Sequence, residues 1–214
     1  MSNQANYAST VRNSVAQIST ANTNRDGTGT LVPVLVAGVN GSRVDRVQFQ
    51  AIGTTTAGML RLFKTKGNIG TPIATMTSST TTVTVTTTAP HGRVNGEKLY
   101  MLECYPPEYN VIGATLTVTG ANSYTYQATT APVTSTASTI GQYMTTPAVP
   151  VSALWREIPV TAQTPTGVIP AWSDFAAAET DLGYLPLQLS YGWLLQVSTN
   201  NAEGFNVDCS YGNY

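Results

Sequence analysis

Two kinds of hydrophobic pattern divide this chain. Apolar and polar residues alternate in segments such as SRVDRVQFQAIG at 42–53 and GMLRLF at 58–63, and again between residues 154 and 209. Residues 70–148 are instead rich in Thr and include TTTVTVTTT at 80–88. Alternation at period two places successive side chains on opposite faces of a strand, and β-branched residues fit that pleated surface. The pattern predicts an all-β chain.

The first block predicts a β-hairpin. LVPVLVAG at 31–38 and the strand that follows it are separated by Asn40-Gly41, and this dipeptide supplies the positive φ angles of a tight hairpin turn. The second strand should have one buried face and one solvent face. The buried face is predicted to carry Val47, Phe49 and Ala51, and the solvent face Arg46, Gln48 and Gln50.

The C-terminal block repeats this strand pattern. LWREIPVTA at 154–162, GWLLQVST at 192–199 and FNVDC at 205–209 are predicted strands, with Trp155 and Trp193 in the core. The segment SDFAAAETDLG at 173–183 begins with Ser and an acidic turn, which predicts one or two helical turns.

The middle block predicts a separate inserted domain. Short strands alternate with turns, and ATLTVT and SYTYQ form a predicted hairpin that places Tyr124 and Tyr126 on the same face. We therefore expect a β-sandwich or jelly-roll-like anchor domain interrupted by a small inserted β-barrel or sandwich. The predicted divisions are an extended N-terminal arm at 1–19, the anchor at 20–68 plus 150–214, and the insert at 70–148.

Charge is scarce, and this narrows the classes of partner. Charged residues make up 10% of the chain, the net charge is −1, and residues 109–155 contain no Asp, Glu, Lys, Arg or His. Without a block of Lys or Arg, we expect neither nucleic-acid nor anionic-lipid binding. No long apolar run or secretory leader is recognisable, so we expect synthesis in a cytoplasm and no membrane partner. Cys104 and Cys209 are expected to be free thiols.

Groups capable of catalysis are sparse. His91 is the only histidine, it lies in a predicted turn, and no Cys, Asp or Glu is within two residues of it. We therefore expect His91 to be structural, and we expect no enzyme, metal or cofactor. A glycosidase-like carboxylate pair remains a weaker alternative, with the following available carboxylates: Glu97, Glu103, Glu108, Asp174, Glu179 and Asp181.

Several segments resemble a class of small structural proteins from tailed-bacteriophage particles. NTNRDGTGTLVPVLVAGVNGSRVDRVQFQAIGTTTAGMLRLF, LWREIPV and LLQVSTNNAEGFNV resemble one module, in which the segments around NTNRDG and STNNAE are structural loops. TTTVTVTTTAPHGRVNGEKLYM with ATLTVTGANSYTYQ resembles a second, Thr-rich phage module. CYPPEYN at 104–110 departs from that second pattern. The resemblance implies a capsid- or tail-associated structural protein and supplies no catalytic residues.

Our preferred interpretation is a capsid decoration, or cement, protein on the outer surface of a virion. Its expected partners are the major capsid protein and further copies of itself, most simply in a homotrimer. The predicted interface residues are Arg43, Arg46, Arg61, Arg156 and Trp172.

The alternative is a neck- or tail-associated fibre or adaptor protein whose insert binds a host surface glycan. Exposed aromatic rings would serve as the sugar platform, and the residues predicted for it are Tyr105, Tyr109, Tyr124 and Tyr126.

Overall fold

A computed structural model of the chain describes residues 10–38, 40–148, 151–166, 172–176 and 187–214, with residues 172–176 described by their backbone alone. This part is all-β apart from one 3-10 turn at Pro107–Tyr109. Its strands, in chain order, are β1 (Thr10–Ile18), β2 (Val32–Val36), β3 (Ser42–Ala51), β4 (Gly58–Lys66), β5 (Ile73–Ser79), β6 (Thr82–Thr87), β7 (Lys98–Leu102), β8 (Val111–Thr115), β9 (Thr117–Gly120), β10 (Ser123–Gln127), β11 (Gln142–Thr146), β12 (Ser152–Val160), β13 (Trp172–Ala176), β14 (Leu187–Leu189), β15 (Trp193–Thr199) and β16 (Phe205–Asn213).

The chain forms two compact units. Unit 1 contains residues 1–65 and 151–214, and unit 2 contains residues 66–150. The predicted boundaries were near residues 68 and 150. The sheets are open and none closes into a barrel in the described part of the chain, so the barrel form expected for the insert is not observed.

Unit 1 is a sandwich of two antiparallel sheets. Sheet 1 has the order β1-β16-β3-β13, with β14 also paired to β3, and sheet 2 has the order β12-β4-β15-β2. The predicted alternation of β3 is confirmed, because Val47, Phe49 and Ala51 are buried while Gln50 is exposed. These residues pack in one apolar cluster with side chains of sheet 2, and Trp155 and Trp193 lie partly buried against that cluster.

The hairpin predicted within the first block, between the strands on either side of Asn40-Gly41, is wrong. β2 pairs with β15 in sheet 2, whereas β3 belongs to sheet 1. Gly41 does adopt the positive φ expected of the turn, at 92°. However, β16 occupies one edge of β3, and β13 and β14 occupy the other, so β2 has no free edge to join. The turn reverses the chain and carries it from one sheet to the other.

Two further predictions in unit 1 need correction. Residues 10–18, assigned to an extended arm, form β1, which pairs with β16 along its whole length. Residues 173–176, assigned to helical turns, are part of β13, which pairs with β3 through Trp172 opposite Gln50. Pairing with β3 explains this second difference. The backbone hydrogen bonds to a neighbouring strand outweigh the weak helical preference of this short segment. Residues 177–183 of the predicted helix lie outside the described residues.

Unit 2 is also built from two open sheets. Sheet 3 has the order β5-β6-β10-β9, and sheet 4 has the order β11-β7-β8. Thr82, Thr84 and Thr86 alternate with buried Val83 and Val85 in β6, so these three side chains point away from the core, whereas Thr87 at the end of the strand is buried. The core joins both sheets through Met76, Leu99 and Met101, among others.

Both ends of the insert are paired within their own unit. In unit 1, Thr65 near the end of β4 lies opposite Ser152 at the start of β12. In unit 2, Asn68 and Thr145 exchange two backbone hydrogen bonds, with N–O distances of 2.7 and 2.8 Å. Each unit is thus closed by antiparallel pairing where the chain passes between them.

A buried ion pair fastens the segment before β2 to sheet 2. Arg61 in β4 is only 6% exposed, and its Nε donates to Glu157 in β12 at 2.6 Å. Its Nη1 donates to the backbone carbonyl of Asn22 at 2.7 Å, and Arg25 also donates to Glu157. One carboxylate therefore joins two strands of sheet 2 to the segment around Asn22.

The rest of that segment is ordered by Asn22 and Gly27. The Asn22 side-chain amide donates to the carbonyls of Thr28 and Thr30, at 2.9 and 3.0 Å. Gly27 has a φ of 83°, and a Cβ there would lie 1.9 Å from the carbonyl oxygen of Ser152. Only glycine fits this approach. These bonds and this close approach order the segment around Asn22.

We predict that Glu157→Ala destabilises unit 1 by about 3 kcal/mol, because it leaves the buried Arg61 guanidinium without its counter-ion. Urea unfolding followed by tryptophan fluorescence measures this in unit 1, which contains all three tryptophans of the chain. Arg25→Ala is the matched control, since the Arg25 side chain is 65% exposed and its removal leaves the pair of Arg61 and Glu157 intact. Equal losses in the two variants would contradict the assignment.

We also predict that this carboxylate makes unit 1 sensitive to acid. The hydrogen bond from Arg25, aided by Arg61, lowers the pKa of Glu157. A carboxyl whose pKa is lower in the folded chain stabilises the fold above its unfolded pKa, near 4.3, and that contribution is lost as the pH falls through the folded pKa. Glu157→Gln should therefore be less stable than wild type at neutral pH, with the gap closing in acid. Fluorescence-monitored unfolding across this pH range tests it, and a constant gap would refute it.

Candidate functional site

The four arginines predicted for a capsid interface do not share one face. Arg43 and Arg46 lie in β3 of sheet 1, whereas Arg61 and Arg156 lie in sheet 2. The interface assignment of Arg61 is wrong, because its side chain is buried against Glu157. Arg43, Arg46 and Arg156 are half-buried, and each already interacts with a group of the chain. The sequence placed all four arginines in strands, but it could not show that those strands belong to two different sheets.

Trp172, the remaining predicted interface residue, begins β13. Its backbone lies opposite Gln50 in sheet 1. Its side chain is outside the part of the chain that the structure describes, so its role stays a prediction.

Three of the four tyrosines predicted as an exposed sugar platform are buried, and that prediction is wrong for them. Tyr109, Tyr124 and Tyr126 are 0%, 1% and 2% exposed, whereas Tyr105 is 65% exposed. Tyr124 and Tyr126 do share a face of β10, as predicted, but it is the inward face. Burial raises the pKa of both phenols. The alternation of SYTYQ showed that one face carries both rings but not which side that face occupies.

The buried phenols find hydrogen-bond partners in the core of unit 2. Tyr126 Oη donates to the carbonyl of Tyr109 at 2.6 Å, and Tyr109 Oη donates to the carbonyl of Thr134 at 2.9 Å. A buried hydroxyl is unfavourable unless it is bonded in this way. These tyrosines therefore hold unit 2 together.

The histidine and both cysteines are buried. His91 is 7% exposed; its Nδ1 accepts from the Arg93 backbone N–H at 2.9 Å, and its Nε2 lies 3.0 Å from the Gly120 carbonyl. Burial raises the pKa of Cys104 to about 11 and that of Cys209 to about 12, and both are free thiols, as predicted.

No metal-binding cluster is found in the described part of the chain. Its His, Cys, Asp and Glu residues form no group of three or more that could hold a metal ion. Of the carboxylates named as a possible glycosidase pair, Glu179 and Asp181 lie outside the described residues, as does the Asp174 side chain. Among described helices, none has the length and apolar character needed to cross a membrane.

An open groove of about 560 Å³ lies on the outer face of sheet 1, across β1, β16 and β3. One row of its residues runs across the three strands in register, from Gln17 to Asn206 to Gln50. The Nε2 of Gln17 donates to Oδ1 of Asn206 at 3.1 Å, and all three side chains are exposed. A row of amides thus lies across the groove floor.

The next row of the groove adds a carboxylate and an apolar side chain. Val15, Asp208 and Gln48 lie opposite one another in β1, β16 and β3. Val15 is 80% exposed, whereas Asp208 and Gln48 are half-buried. The side chains of both rows offer hydrogen-bond donors and acceptors with a single formal charge.

Sequence reasoning missed this groove for an identifiable reason. The alternation of β3 correctly predicts a solvent face for Gln48 and Gln50. The sequence of residues 1–19 predicts an arm, which contains Gln17. Only the pairing of β1 with β16 brings Gln17 beside Asn206 and completes the row. The available signal was the segment Val15-Ala16-Gln17-Ile18-Ser19, whose composition also suits a short strand.

The backbone edge of residues 10–13 in β1 presents a second unusual surface, which we call the free edge because no described strand pairs with it; the name does not refer to side chains, and Arg12 has a partner within the chain. β1 is an outer strand of sheet 1, and no described strand pairs with its other side. Val11 is 85% exposed there. Natural sheets usually protect such an edge with charge, proline or a covering segment, because it can pair with another chain.

Comparison with known proteins identifies no relative: no family model, no curated protein and no solved structure matches the chain.

We predict that Tyr126→Phe destabilises unit 2 by about 1–2 kcal/mol, because the buried Tyr109 carbonyl loses its donor. Tyr105→Phe, at an exposed position, should change stability by less than about 0.5 kcal/mol. Hydrogen exchange measured by mass spectrometry separates peptides of unit 2 from those of unit 1 and so reports the effect locally. Equal exchange in the two variants would show that the Tyr126 hydroxyl has no structural role.

Proposed function

We propose that this chain is a structural protein of a tailed-bacteriophage particle, and that it decorates and stabilises the outer surface of the capsid. Unit 1 attaches to the major capsid protein, and copies associate as a homotrimer. The sequence resemblance of both modules supports this assignment. The structural observation that supports the proposal most directly is the free edge of β1. No described strand pairs with that side of β1, and Val11 is exposed there.

A sheet edge with which no described strand pairs suits a subunit that becomes part of an assembly. A strand from a neighbouring protein can add to it through backbone hydrogen bonds, and an exposed apolar side chain adds buried area to that contact. A monomeric protein with the same edge would risk aggregation. Occupation by a capsid subunit or another copy removes that liability.

The internal organisation of both units also suits a structural role. The charges of Arg61 and Glu157 are matched inside unit 1, and Arg93 is held by backbone carbonyls and a hydroxyl inside unit 2. The Thr-rich strands present hydroxyls that remain hydrated without charge, and β-branching keeps their side chains stiff. Such a unit is suited to exposure on a particle surface.

The alternative function, a neck- or tail-associated adaptor with a sugar-binding insert, has less support. Three of its four predicted platform tyrosines belong to the core of unit 2. Tyr105 alone offers a single exposed ring.

We predict that Val11→Lys abolishes attachment to particles, because a charged side chain on the edge opposes strand addition. Particles of the encoding phage that lack the protein are mixed with purified variants and sedimented, and bound protein is quantified. Wild type should bind in many copies over the head and raise the temperature at which the particles release DNA. Val133→Lys is the matched control, since Val133 is 76% exposed in unit 2.

Three outcomes would count against parts of the proposal. Particles that are equally heat-resistant with and without the protein would exclude a stabilising role. Binding confined to the neck or tail would favour the adaptor function instead. Retained head binding by Val11→Lys would place the attachment surface elsewhere.

A further inference from the structure

We propose that the groove on the outer face of sheet 1 binds a neutral, hydroxyl-rich carbohydrate chain. The contacts come from the amide row of Gln17, Asn206 and Gln50 and from Asp208 and Gln48 in the adjacent row. This inference concerns unit 1, not the tyrosines of unit 2. It holds wherever in a particle the protein is located.

The groove has the dimensions of a ligand site. Its volume of about 560 Å³ falls within the range of roughly 300–1,000 Å³ typical of small-molecule pockets. The amide row spans three neighbouring strands, and at about 4.8 Å per strand this is roughly 10 Å across the sheet. A flat, open floor of that width can contact successive rings of an oligosaccharide.

The hydrogen-bonding capacity of the row matches sugar hydroxyls. A side-chain amide has two donor protons and an acceptor oxygen, and each sugar hydroxyl both donates and accepts. The bond from Gln17 Nε2 to Asn206 Oδ1 fixes the orientation of these two amides. The Oε1 of Gln17 and the Nδ2 of Asn206 do not take part in this bond. Gln50 is exposed in the same row.

Charge selects neutral chains over acidic ones. Asp208 is the charged group among the described lining residues, and none of those residues is cationic. A carboxylate accepts hydrogen bonds from hydroxyls but repels sulfate, phosphate and uronic-acid groups. Arg46, the nearest arginine along β3, already interacts within the chain. A polyanion would therefore meet no cation among the described lining residues of the groove.

Val15 supplies the apolar contact that sugar rings also require. A pyranose ring has polar edges and less polar C–H faces, and Val15 is 80% exposed beside the amide row. The groove and the free edge are separate surfaces. Val11 and Gln17 are six residues apart on β1, which is about 20 Å in an extended strand.

Nuclear magnetic resonance of the side-chain amides tests the proposal directly in the full chain. The ¹⁵N-labelled protein is titrated with cellohexaose, maltohexaose and the tetramer of N-acetylglucosamine, and separately with heparin. We expect saturable shifts of the Gln17, Gln50 and Asn206 side-chain signals with at least one neutral probe, and none with heparin.

Variants then connect the shifts to the groove. The double variant Gln17→Ala/Gln50→Ala should weaken binding about tenfold or more, because it removes the hydrogen bonds of two amides. Gln127→Ala, an exposed amide on unit 2, is the matched control and should bind as wild type does. Asp208→Asn should admit oligomers of glucuronic acid that wild type excludes. Spectra of the backbone amides report whether each variant is folded.

Three results would overturn the proposal. The first is the absence of shifts at roughly 10 mM of every neutral probe, a concentration well above a millimolar dissociation constant. The second is a set of shifts confined to amides outside the groove, such as Gln127. The third is binding of heparin in preference to the neutral probes. None of these would affect the assignment of the free edge, which is measured by sedimentation with particles.

Discussion

The pairing of Arg61 with Glu157 is the constraint on which the architecture of unit 1 depends. A guanidinium as buried as that of Arg61 is unfavourable unless its donors are satisfied, and they are divided between Glu157 and the carbonyl of Asn22. Neighbouring strands of sheet 2 and the segment around Asn22 must therefore come together at the same time. Asn22 is four residues beyond Ile18, the last residue of β1. Fixing Asn22 on sheet 2 consequently holds β1 at the edge of sheet 1, where it forms both the groove and the free edge.

Unit 2 uses the same physical device with different residues. Arg93 donates to the carbonyls of Asn68 and Ile69 and to the hydroxyl of Thr145, so a single buried cation joins the first and last segments of the insert. His91 orders the turn that presents it. In each unit a buried arginine, Arg61 or Arg93, contacts two or more segments of the chain and so determines which segments lie together. The exposed faces described above, the groove of sheet 1 and the outward Thr residues of β6, present amides and hydroxyls, which hydrate well and carry no charge.

Local patterns predicted the strands well and their partners poorly. The alternation of β3 identified its buried face, because burial of one face requires period two. Asn40-Gly41 identified a reversal of the chain, but a turn cannot report that the edges of β3 are taken by β13, β14 and β16. Tyr124 and Tyr126 were placed on one face, whereas their burial depends on the packing of sheet 3 against sheet 4. The groove depends on non-local pairing as well, since Gln17 and Asn206 meet only when both ends of the chain are side by side.

The antiparallel pairing of Thr65 with Ser152 has a consequence for how such a protein can change over generations. To unit 1, the whole of unit 2 is equivalent to the loop of a hairpin, and unit 2 closes its own ends through Asn68 and Thr145. Lengthening a loop adds only a slowly growing entropic penalty once its ends are held together. Recombination at these two positions could therefore exchange the insert for another self-closing module, or for a short turn, while leaving the core of unit 1 intact. A lineage of such chains could vary the insert while keeping the core of unit 1.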